Sequence, residues 1–248
     1  PGEFIIDGTI DGGGHANEIL RLIAPDGRLL GIEWDDRLFR EAEIRMSGAK
    51  NALIVNDSYA NLPEILKKRK LPKADGLLLD LGFSSEQLEE SGKGFSFLRD
   101  EPLQMTYDSA RKPVSEILKE ISELDLKDII RNYGEERFAG RIAWAIKKDG
   151  SIQASGELAD VIRRAVPKGY EHGRIDPATR TFQALRIYAN DEIGNLKTIL
   201  RRAGDVLKSG ARIVVISFHS LEDRIVKHEF RSMARTEELE IITKKPII

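Results

Sequence analysis

The stretch Phe4-Ile-Ile-Asp-Gly-Thr-Ile-Asp-Gly-Gly-Gly-His-Ala-Asn-Glu-Ile-Leu20 decides the fold of this chain. It begins with a short apolar run, Phe4 to Ile6, that is typical of a buried strand. Three consecutive glycines, Gly12 to Gly14, follow, and apolar residues from Ile19 to Ile23 then predict a helix. Strand, glycine turn and helix in this order are how doubly wound α/β domains form a cofactor crevice at the carboxyl ends of their strands.

The composition limits the classes of protein that the chain can represent. Its 248 residues suffice for one large domain or two modest ones, and no apolar run approaches the roughly 18 residues of a membrane span. The absence of cysteine excludes disulfides and thiolate metal sites and fits a reducing compartment, so we expect a cytoplasmic protein without a metal. With a net charge of −2, contacts to nucleic acid would have to come from local basic patches.

Strand and helix patterns alternate through the first third of the chain. Short apolar runs bounded by Gly, Pro, Asp or Asn predict buried parallel strands at 29–32, 52–55 and 76–81, separated by helices at about 36–46 and 62–70. After Asp80 the alternation stops, and a further buried strand is predicted only at 211–217.

The intervening region has helical patterns throughout. Helices are predicted at 114–120, 126–131, 135–148, 156–166 and 177–208. We therefore expect an α/β fold, a doubly wound and mostly parallel sheet with an inserted all-helical domain. The predicted domains are 1–105 with 208–248, and the insertion 106–207.

Polar residues at the predicted strand ends are candidates for a nucleoside site. The glycine turn feeds a helix N-terminus that favours an anion, although Asn17 stands where a dinucleotide fingerprint would have its third glycine. Glu33 is placed to accept both hydroxyls of a ribose, and Tyr59 offers an aromatic wall for an adenine ring. A simple tight turn, a solvated acid and a packed tyrosine are the alternative interpretations.

The fourth predicted strand ends in Asp80, which begins the segment Asp80-Leu-Gly-Phe-Ser-Ser85. An acid at this point is desolvated on its strand side and needs a polar partner. The frame from Asp80 to Phe83 is similar to the Asp-Pro-Pro-Tyr loop of amino-group methyltransferases, without the prolines. His15 and His219 are both predicted at strand ends on the same side of the sheet, where they could equally be structural residues.

The helical region carries basic residues suited to a polyanion. On a helix over 135–148, Arg137, Arg141, Trp144 and Lys148 would share a stripe beside an apolar face. Basic residues interleaved with an aromatic suit single-stranded nucleic acid, whereas a solvated helix face is the plainer alternative. Further basic residues surround a Pro- and Gly-rich loop at 167–177, including Arg174 and Arg180.

Six motifs occur in an order that resembles one known family. They are Asp7-Gly-Thr-Ile-Asp-Gly-Gly-Gly-His15, Asp80-Leu-Gly-Phe-Ser-Ser-Glu-Gln-Leu88, Gly94-Phe-Ser-Phe97, Tyr133-Gly-Glu-Glu-Arg-Phe138, Pro177-Ala-Thr-Arg-Thr-Phe-Gln-Ala-Leu-Arg186 and Ser217-Phe-His-Ser-Leu-Glu-Asp-Arg224. Together they closely resemble the bacterial 16S rRNA cytosine N4-methyltransferases, known as RsmH or MraW, over nearly the whole chain.

The resemblance implies an enzyme that uses S-adenosyl-L-methionine to methylate the exocyclic N4 of a decoding-region cytidine in 16S rRNA, within the small ribosomal subunit or a late assembly intermediate. It implies the class I methyltransferase fold with a helical substrate-recognition insertion. The family's cofactor contacts match Gly13, Gly14, His15, Glu33, Tyr59, Asp80 and Gln87. Family members extend beyond both ends of this chain, so we expect missing terminal segments; the oligomeric state, including a homodimer, is left open.

The mechanism expected from these residues is a direct in-line methyl transfer. Asp80 or a nearby carbonyl would accept a hydrogen from the cytosine amine, with Ser84, Ser217 and His219 as orienting groups. Arg137, Arg141, Arg174 and Arg180 would bind RNA. The rival hypotheses are a nucleotide-dependent oxidoreductase, which the missing third glycine and the helical insertion disfavour, and a non-enzymatic RNA-binding module.

Overall fold

The computed structural model describes residues 1–82, 92–170, 175–243 and 245–247. The chain divides into two compact units, the first comprising Pro1–Gly82 with Ile193–Ile248 and the second Phe83–Glu192. In chain order, the elements are β1 (Phe4–Asp7), α1 (Gly14–Ile23), β2 (Arg28–Glu33), α2 (Asp36–Met46), β3 (Ala52–Asn56), α3 (Leu62–Arg69), β4 (Ala74–Asp80), α4 (Val114–Glu120), α5 (Glu123–Gly134), α6 (Ala139–Asp149), α7 (Ser155–Ala165), α8 (Ala178–Asn190), α9 (Glu192–Arg201), α10 (Ala203–Val206), β5 (Leu207–Ile216) and α11 (Ser220–Arg235).

The first unit is built on a five-stranded sheet in the order β3-β2-β1-β4-β5. Every neighbouring pair is parallel, with Asp7 opposite Leu78 and Glu33 opposite Asn56. The strand order reverses between β1 and β4, which is the topological switch point where open α/β sheets bind ligands. The predicted doubly wound parallel sheet is confirmed.

Alternate side chains of the strands pack into two cores on opposite faces of this sheet. On one face, Leu29 of β2 packs with residues of α1 and α2, including Ala16, Ile23, Ala42 and Met46. On the other face, residues of β1, β2 and β4 pack with α3 and with Leu196, Ile199 and Leu200 of α9. Burial of strands on both faces explains why their sequences are nearly continuous apolar runs.

The predicted helix at 177–208 is wrong in its length. Asp191, in the left-handed region at φ +51°, ends α8, and α9, α10 and then β5 follow. The strand begins at Leu207, four residues before the predicted start, because Leu207 pairs with Ala74 across a bulge. In the structure the helical unit begins after Gly82 and ends before Ile193. The sequence-based division placed these two boundaries at 105/106 and 207/208.

The predicted helix at 135–148 also begins at a different residue. Glu135 has a φ of +51° and caps α5, whereas α6 begins only at Ala139. The break lies where Gly134 meets α8 closely, since a Cβ there would lie 2.5 Å from the Arg180 carbonyl oxygen. Arg137 is consequently in the connection between two helices and not on α6.

The described parts of the chain contain neither a metal-binding cluster nor a membrane-spanning helix. Among those residues, no group of His, Cys, Asp and Glu could hold a metal ion. None of the helices in the same ranges is long and apolar enough to cross a membrane.

Candidate functional site

Two acids end the two adjacent strands at the switch point. Asp7 is the last residue of β1 and Asp80 is the last of β4. Their strands are tied together by the Gly8 amide, which donates to the Leu78 carbonyl at 2.8 Å, and by the Asp80 amide, which donates to Thr9 Oγ1 at 2.7 Å. Both carboxyl groups therefore belong to the carboxyl edge of the sheet.

Asp80 has one engaged and one unengaged carboxylate oxygen. Its Oδ2 lies 3.1 Å from Nε2 of His15, a residue of the first turn of α1. Its Oδ1 is buried and has no hydrogen-bond partner among the residues that the structure describes. A buried acceptor without a partner is costly, so Oδ1 is suited to accept a hydrogen from a bound ligand.

Asp7 is a further candidate for this site, which the sequence analysis quoted without giving it a role. It is fully buried, its Oδ1 accepts from the Thr9 amide at 3.2 Å, and its Oδ2 lacks a partner within the described ranges. Burial, opposed by that hydrogen bond and by His15 and supported by the charge of Asp80, raises the pKa of Asp7 to about 6. The available signal was an acid that ends a buried apolar strand immediately before a glycine.

The glycine turn shapes the entry to α1. Gly13 is the N-cap with φ +80°, a backbone conformation that favours glycine. A Cβ there would lie 2.7 Å from Met46 Cε, the far end of a flexible side chain that can move aside. A Cβ on Gly14 would meet nothing within 4 Å. Because no side chain caps this helix, its first amides face an open surface that suits a carboxylate or phosphate.

Glu33 ends β2 and is held by backbone amides. Its Oε2 accepts from the Asp11 amide at 3.0 Å and its Oε1 from the Asp35 amide at 2.8 Å. Burial, with contributions from the charges of Asp11 and Asp35, raises the pKa of Glu33 to about 8. Each carboxyl oxygen retains a second acceptor lone pair, so the group can still receive ribose hydroxyls.

Tyr59 follows β3 in a short 3₁₀ turn, Tyr59–Asn61. Its side chain is half-buried and packs against the core that contains Val55 and Leu62. A Cβ placed on Gly8 would lie 3.3 Å from Tyr59 Cβ, so the base of this side chain borders the end of β1. The residue is thus close to the acidic edge while it also serves as a packing residue.

The other residues that the sequence predicted at this edge include His219, Ser84 and Gln87. His219 is the N-cap of α11: its Nδ1 accepts from the Glu222 amide at 3.4 Å, and its Nε2 lies 3.1 Å from Glu222 Oε1. In spite of this proximity, Nε2 makes no hydrogen bond to the described residues, so this buried ring nitrogen remains able to contact a ligand. Ser84, Gln87 and the neighbouring Phe83 lie outside the described residues.

In the second unit, Arg137 belongs to a packed aromatic cluster. Its guanidinium carbon lies 4.8 Å from the ring centroids of both Phe138 and Tyr170. The Tyr170 hydroxyl donates to the buried Glu136 carboxylate at 2.9 Å and accepts from Arg180 Nη1 at 3.4 Å. Contacts of this kind stabilise the fold. The guanidinium carbon of Arg141 lies 5.6 Å from the centroid of the same Phe138 ring, so both arginines contact one aromatic ring although Arg137 is not on α6 with the rest of the predicted stripe.

The other members of that stripe do share α6. Arg141, Trp144 and Lys148 are exposed on this helix, whereas Ile142 and Ile146 are buried. Arg174, the remaining residue predicted to bind RNA, lies outside the described residues.

Comparison with known proteins assigns the family. The model of the MraW methylase family matches residues 1–248. The Ribosomal RNA small subunit methyltransferase H of Syntrophus aciditrophicus is 45% identical over 99% of this chain and 84% of its own length. The protein of the same name from Geotalea daltonii is 47% identical over 95% of this chain and 77% of its own length.

Similarity to solved structures is more limited. Aeropyrum pernix fibrillarin, solved with natively bound S-adenosyl-L-methionine, is 26% identical over 33% of this chain and 35% of its own, with a TM-score of 0.30. That overlap is too small to bear on function. The family match over the full length and the identity to the curated relatives show that this chain, a methyltransferase, belongs to the MraW methylase family.

Proposed function

We propose that this chain uses S-adenosyl-L-methionine to methylate the exocyclic N4 of a cytidine in the decoding region of 16S rRNA. The family assignment and the names of the relatives support a small-subunit rRNA substrate. The observation that carries the chemistry is Asp80, whose buried Oδ1 has no partner in the described residues at the switch point of the sheet. Because the proposed substrate is the small ribosomal subunit or a late assembly intermediate of it, we expect the enzyme to act in the cytoplasm.

The residues present fit this cofactor. The open amides at Gly14 and His15, behind the Gly13 turn, suit its amino-acid carboxylate. Glu33 suits the ribose hydroxyls and Tyr59 the adenine ring. The unpartnered Oδ2 of Asp7 offers an acceptor for its ammonium group, and Asp80 borders the cofactor at the end of the adjacent strand. Gln87 completes the proposed cofactor set on the basis of the family resemblance.

When bound, S-adenosyl-L-methionine supplies an electrophilic sulfonium methyl group. The amine of cytosine is a poor nucleophile because its lone pair is delocalised into the ring. Asp80 accepts a hydrogen bond from the N4 amine through Oδ1. This hydrogen bond localises the lone pair on nitrogen as the new nitrogen–carbon bond forms. His15 holds the other carboxylate oxygen at 3.1 Å and thereby orients the group.

Most of the rate enhancement comes from positioning the amine against the methyl group. Ser84 and His219 are proposed to orient the base. The target cytidine is unpaired or flipped out of its helix, because its N4 is inaccessible within a base pair. In this proposal the helical unit recognises the RNA through Arg137, Arg141, Arg174 and Arg180.

The proposal is tested by mass spectrometry of 16S rRNA. Small ribosomal subunits that lack the modification are incubated with the purified chain and S-adenosyl-L-methionine. Nucleosides from one digest identify the modification, and oligonucleotides from a nuclease digest give its position. We expect N4-methylcytidine at a single decoding-region position. Transfer to a ring carbon, to a ribose hydroxyl or to another base would refute the assigned acceptor.

A further inference from the structure

The helical unit contains a groove of about 590 Å³ between α6 and α7. Its walls include Arg141, Trp144 and Lys148 of α6 and Val161 and Arg164 of α7. We call this the α6–α7 groove. Its volume lies within the range of about 300–1,000 Å³ that is usual for small-ligand sites.

Trp144 is exposed in this groove and does not contribute to the buried face of α6. The side chain is 52% exposed, whereas Ala139, Ile142, Ala143 and Ile146 already supply the buried face of α6. A large exposed aromatic ring is unusual outside binding surfaces, where tryptophan is enriched. The indole therefore represents apolar area that a ligand can cover.

The groove is also cationic. Lys148 Nζ lies 4.7 Å from the centroid of the Trp144 ring, and Arg141 and Arg164 are exposed at the walls. Asp149 is the acidic residue of the lining, and its Oδ2 is 4.0 Å from Arg164 Nη2, a weak ion pair. Positive charge concentrated here, in a chain whose net charge is −2, favours an anionic ligand.

We infer that the α6–α7 groove binds an unpaired nucleotide of single-stranded RNA, with the base stacked on Trp144 and the flanking phosphates near Arg141 and Arg164. An aromatic platform beside cations is how proteins bind single strands without reading their sequence. The inference rests on the proposed function, because the bound single-stranded RNA is part of the RNA substrate. It adds Arg164 to the basic residues assigned above and gives Trp144 and Lys148, already predicted in one stripe with Arg141, a specific role.

Fluorescence of Trp144 provides a direct test. Trp34 is the chain's other tryptophan, so a Trp34→Phe background leaves Trp144 as the sole indole reporter. The probe is hexaadenylate RNA, which lacks cytosine and so separates groove binding from binding of the methylated base. We expect saturable quenching of Trp144, and an affinity by fluorescence anisotropy of labelled RNA equal to that of the unsubstituted chain.

The matching substitutions measure the contribution of stacking. In the unsubstituted chain, Trp144→Ala should weaken hexaadenylate binding about tenfold or more, and Trp144→Phe should restore most of the affinity. Arg164→Ala should reduce the slope of log Kd against log salt by about 0.7, the contribution of one phosphate contact to a single strand. Leu124→Ala, an exposed apolar residue of α5, is the control and should bind normally.

The outcomes separate this inference from the proposed function. Absence of quenching, or equal affinities for the native chain and both Trp144 variants, would overturn the groove assignment even if 16S rRNA is methylated. Equal quenching by hexaglutamate would assign the groove to an acidic peptide and also overturn it. Quenching with the expected losses supports the groove, even if the methylated position proves to be a different one.

Discussion

The carboxyl edge of the sheet and the α6–α7 groove are opposite kinds of site. At the sheet edge, Asp7 and Glu33 are buried and their pKa values are raised by burial to about 6 and about 8. In the groove, the cations and Trp144 are exposed on helix surfaces. One region presents unsatisfied acceptors in fixed positions, and the other presents charge and a flat apolar ring.

This difference has a physical consequence for each region. Removing an acceptor from a dry, rigid site changes the chemistry there, because no water can replace it with the same geometry. Removing one exposed cation from a groove changes affinity by a small, salt-dependent amount. Substitutions at the sheet edge should therefore have larger effects than those on α6.

The largest expected effect is on catalysis. Asp80→Ala should lower methyl transfer from tritiated S-adenosyl-L-methionine to small ribosomal subunits by about a thousandfold, because the acceptor for the amine hydrogen is lost. Asp26→Ala is the matched control, since Asp26 is exposed and precedes β2 at the opposite edge of the sheet. Full activity of the Asp80→Ala variant would remove Asp80 from the mechanism.

Glu33 should make stability depend on pH. The folded chain keeps a proton on Glu33 up to about pH 8, whereas the unfolded chain releases it near the ordinary pKa of 4.5. Folding is therefore less favoured as the pH rises between these values. We expect the native free energy of unfolding to fall by about 3 kcal/mol more than that of Glu33→Gln between pH 5 and pH 8.

Urea unfolding at the two pH values measures this difference. The comparison between the two proteins cancels the contribution of Asp7, which is present in both. Parallel pH dependences for the native chain and Glu33→Gln would show that Glu33 titrates near its ordinary pKa despite its burial.

Gly13 and Gly14 of the turn should respond differently to substitution by alanine. Gly13→Ala should lower the free energy of unfolding by about 1–3 kcal/mol, because alanine adopts the φ of +80° only with strain. Gly14→Ala meets no atom within 4 Å and should leave stability unchanged or slightly higher.

Cofactor binding distinguishes the pair further. Gly14→Ala should weaken the binding of S-adenosyl-L-methionine in calorimetry, since its methyl group occupies the open approach to the first amides of α1. Equal affinity for the native chain and the Gly14→Ala variant would place the cofactor's carboxylate elsewhere. Thermal unfolding of both variants provides the stability comparison.

The smallest effects are expected among the basic residues of the helical unit. Arg141→Ala should weaken binding to small-subunit rRNA by a few fold, with a shallower salt dependence and unchanged cofactor affinity. Arg137→Ala should weaken RNA binding to a similar extent and in addition lower stability by about 0.5–1 kcal/mol, because its guanidinium stacks on Phe138 and Tyr170. Filter binding measures the RNA affinity of both variants, and urea unfolding measures their stability. A native free energy of unfolding for Arg137→Ala would contradict the packing role of Arg137.

The fold was largely readable from local patterns. The strand signals near residues 4, 29, 52 and 76 were short apolar runs between turn residues, and each proved to be a strand within a few residues of its predicted bounds. The helices at 36–46 and 114–120 have the bounds that their apolar spacing predicts. Such signals depend on near neighbours in the chain, which is why a single sequence contains them.

The errors occurred where distant contacts decide. The start of β5 depends on its pairing with Ala74, and the division at Ile193 depends on the packing of α9 against the sheet. The late start of α6 follows from the backbone of Glu135, which periodicity alone does not reveal. The assignment of Arg137 to a helical stripe was wrong for the same reason.

The sequence by itself determined the alternation of strands and helices, the glycine turn and the membership of a family, because these are properties of local pattern and motif order. Only the tertiary structure brought Asp7 and Asp80 to adjacent strand ends and left an oxygen of each without a partner in the described residues. It alone placed Arg137 outside α6 and formed the groove beside Trp144. Burial and the meeting of distant residues arise only when the chain is folded.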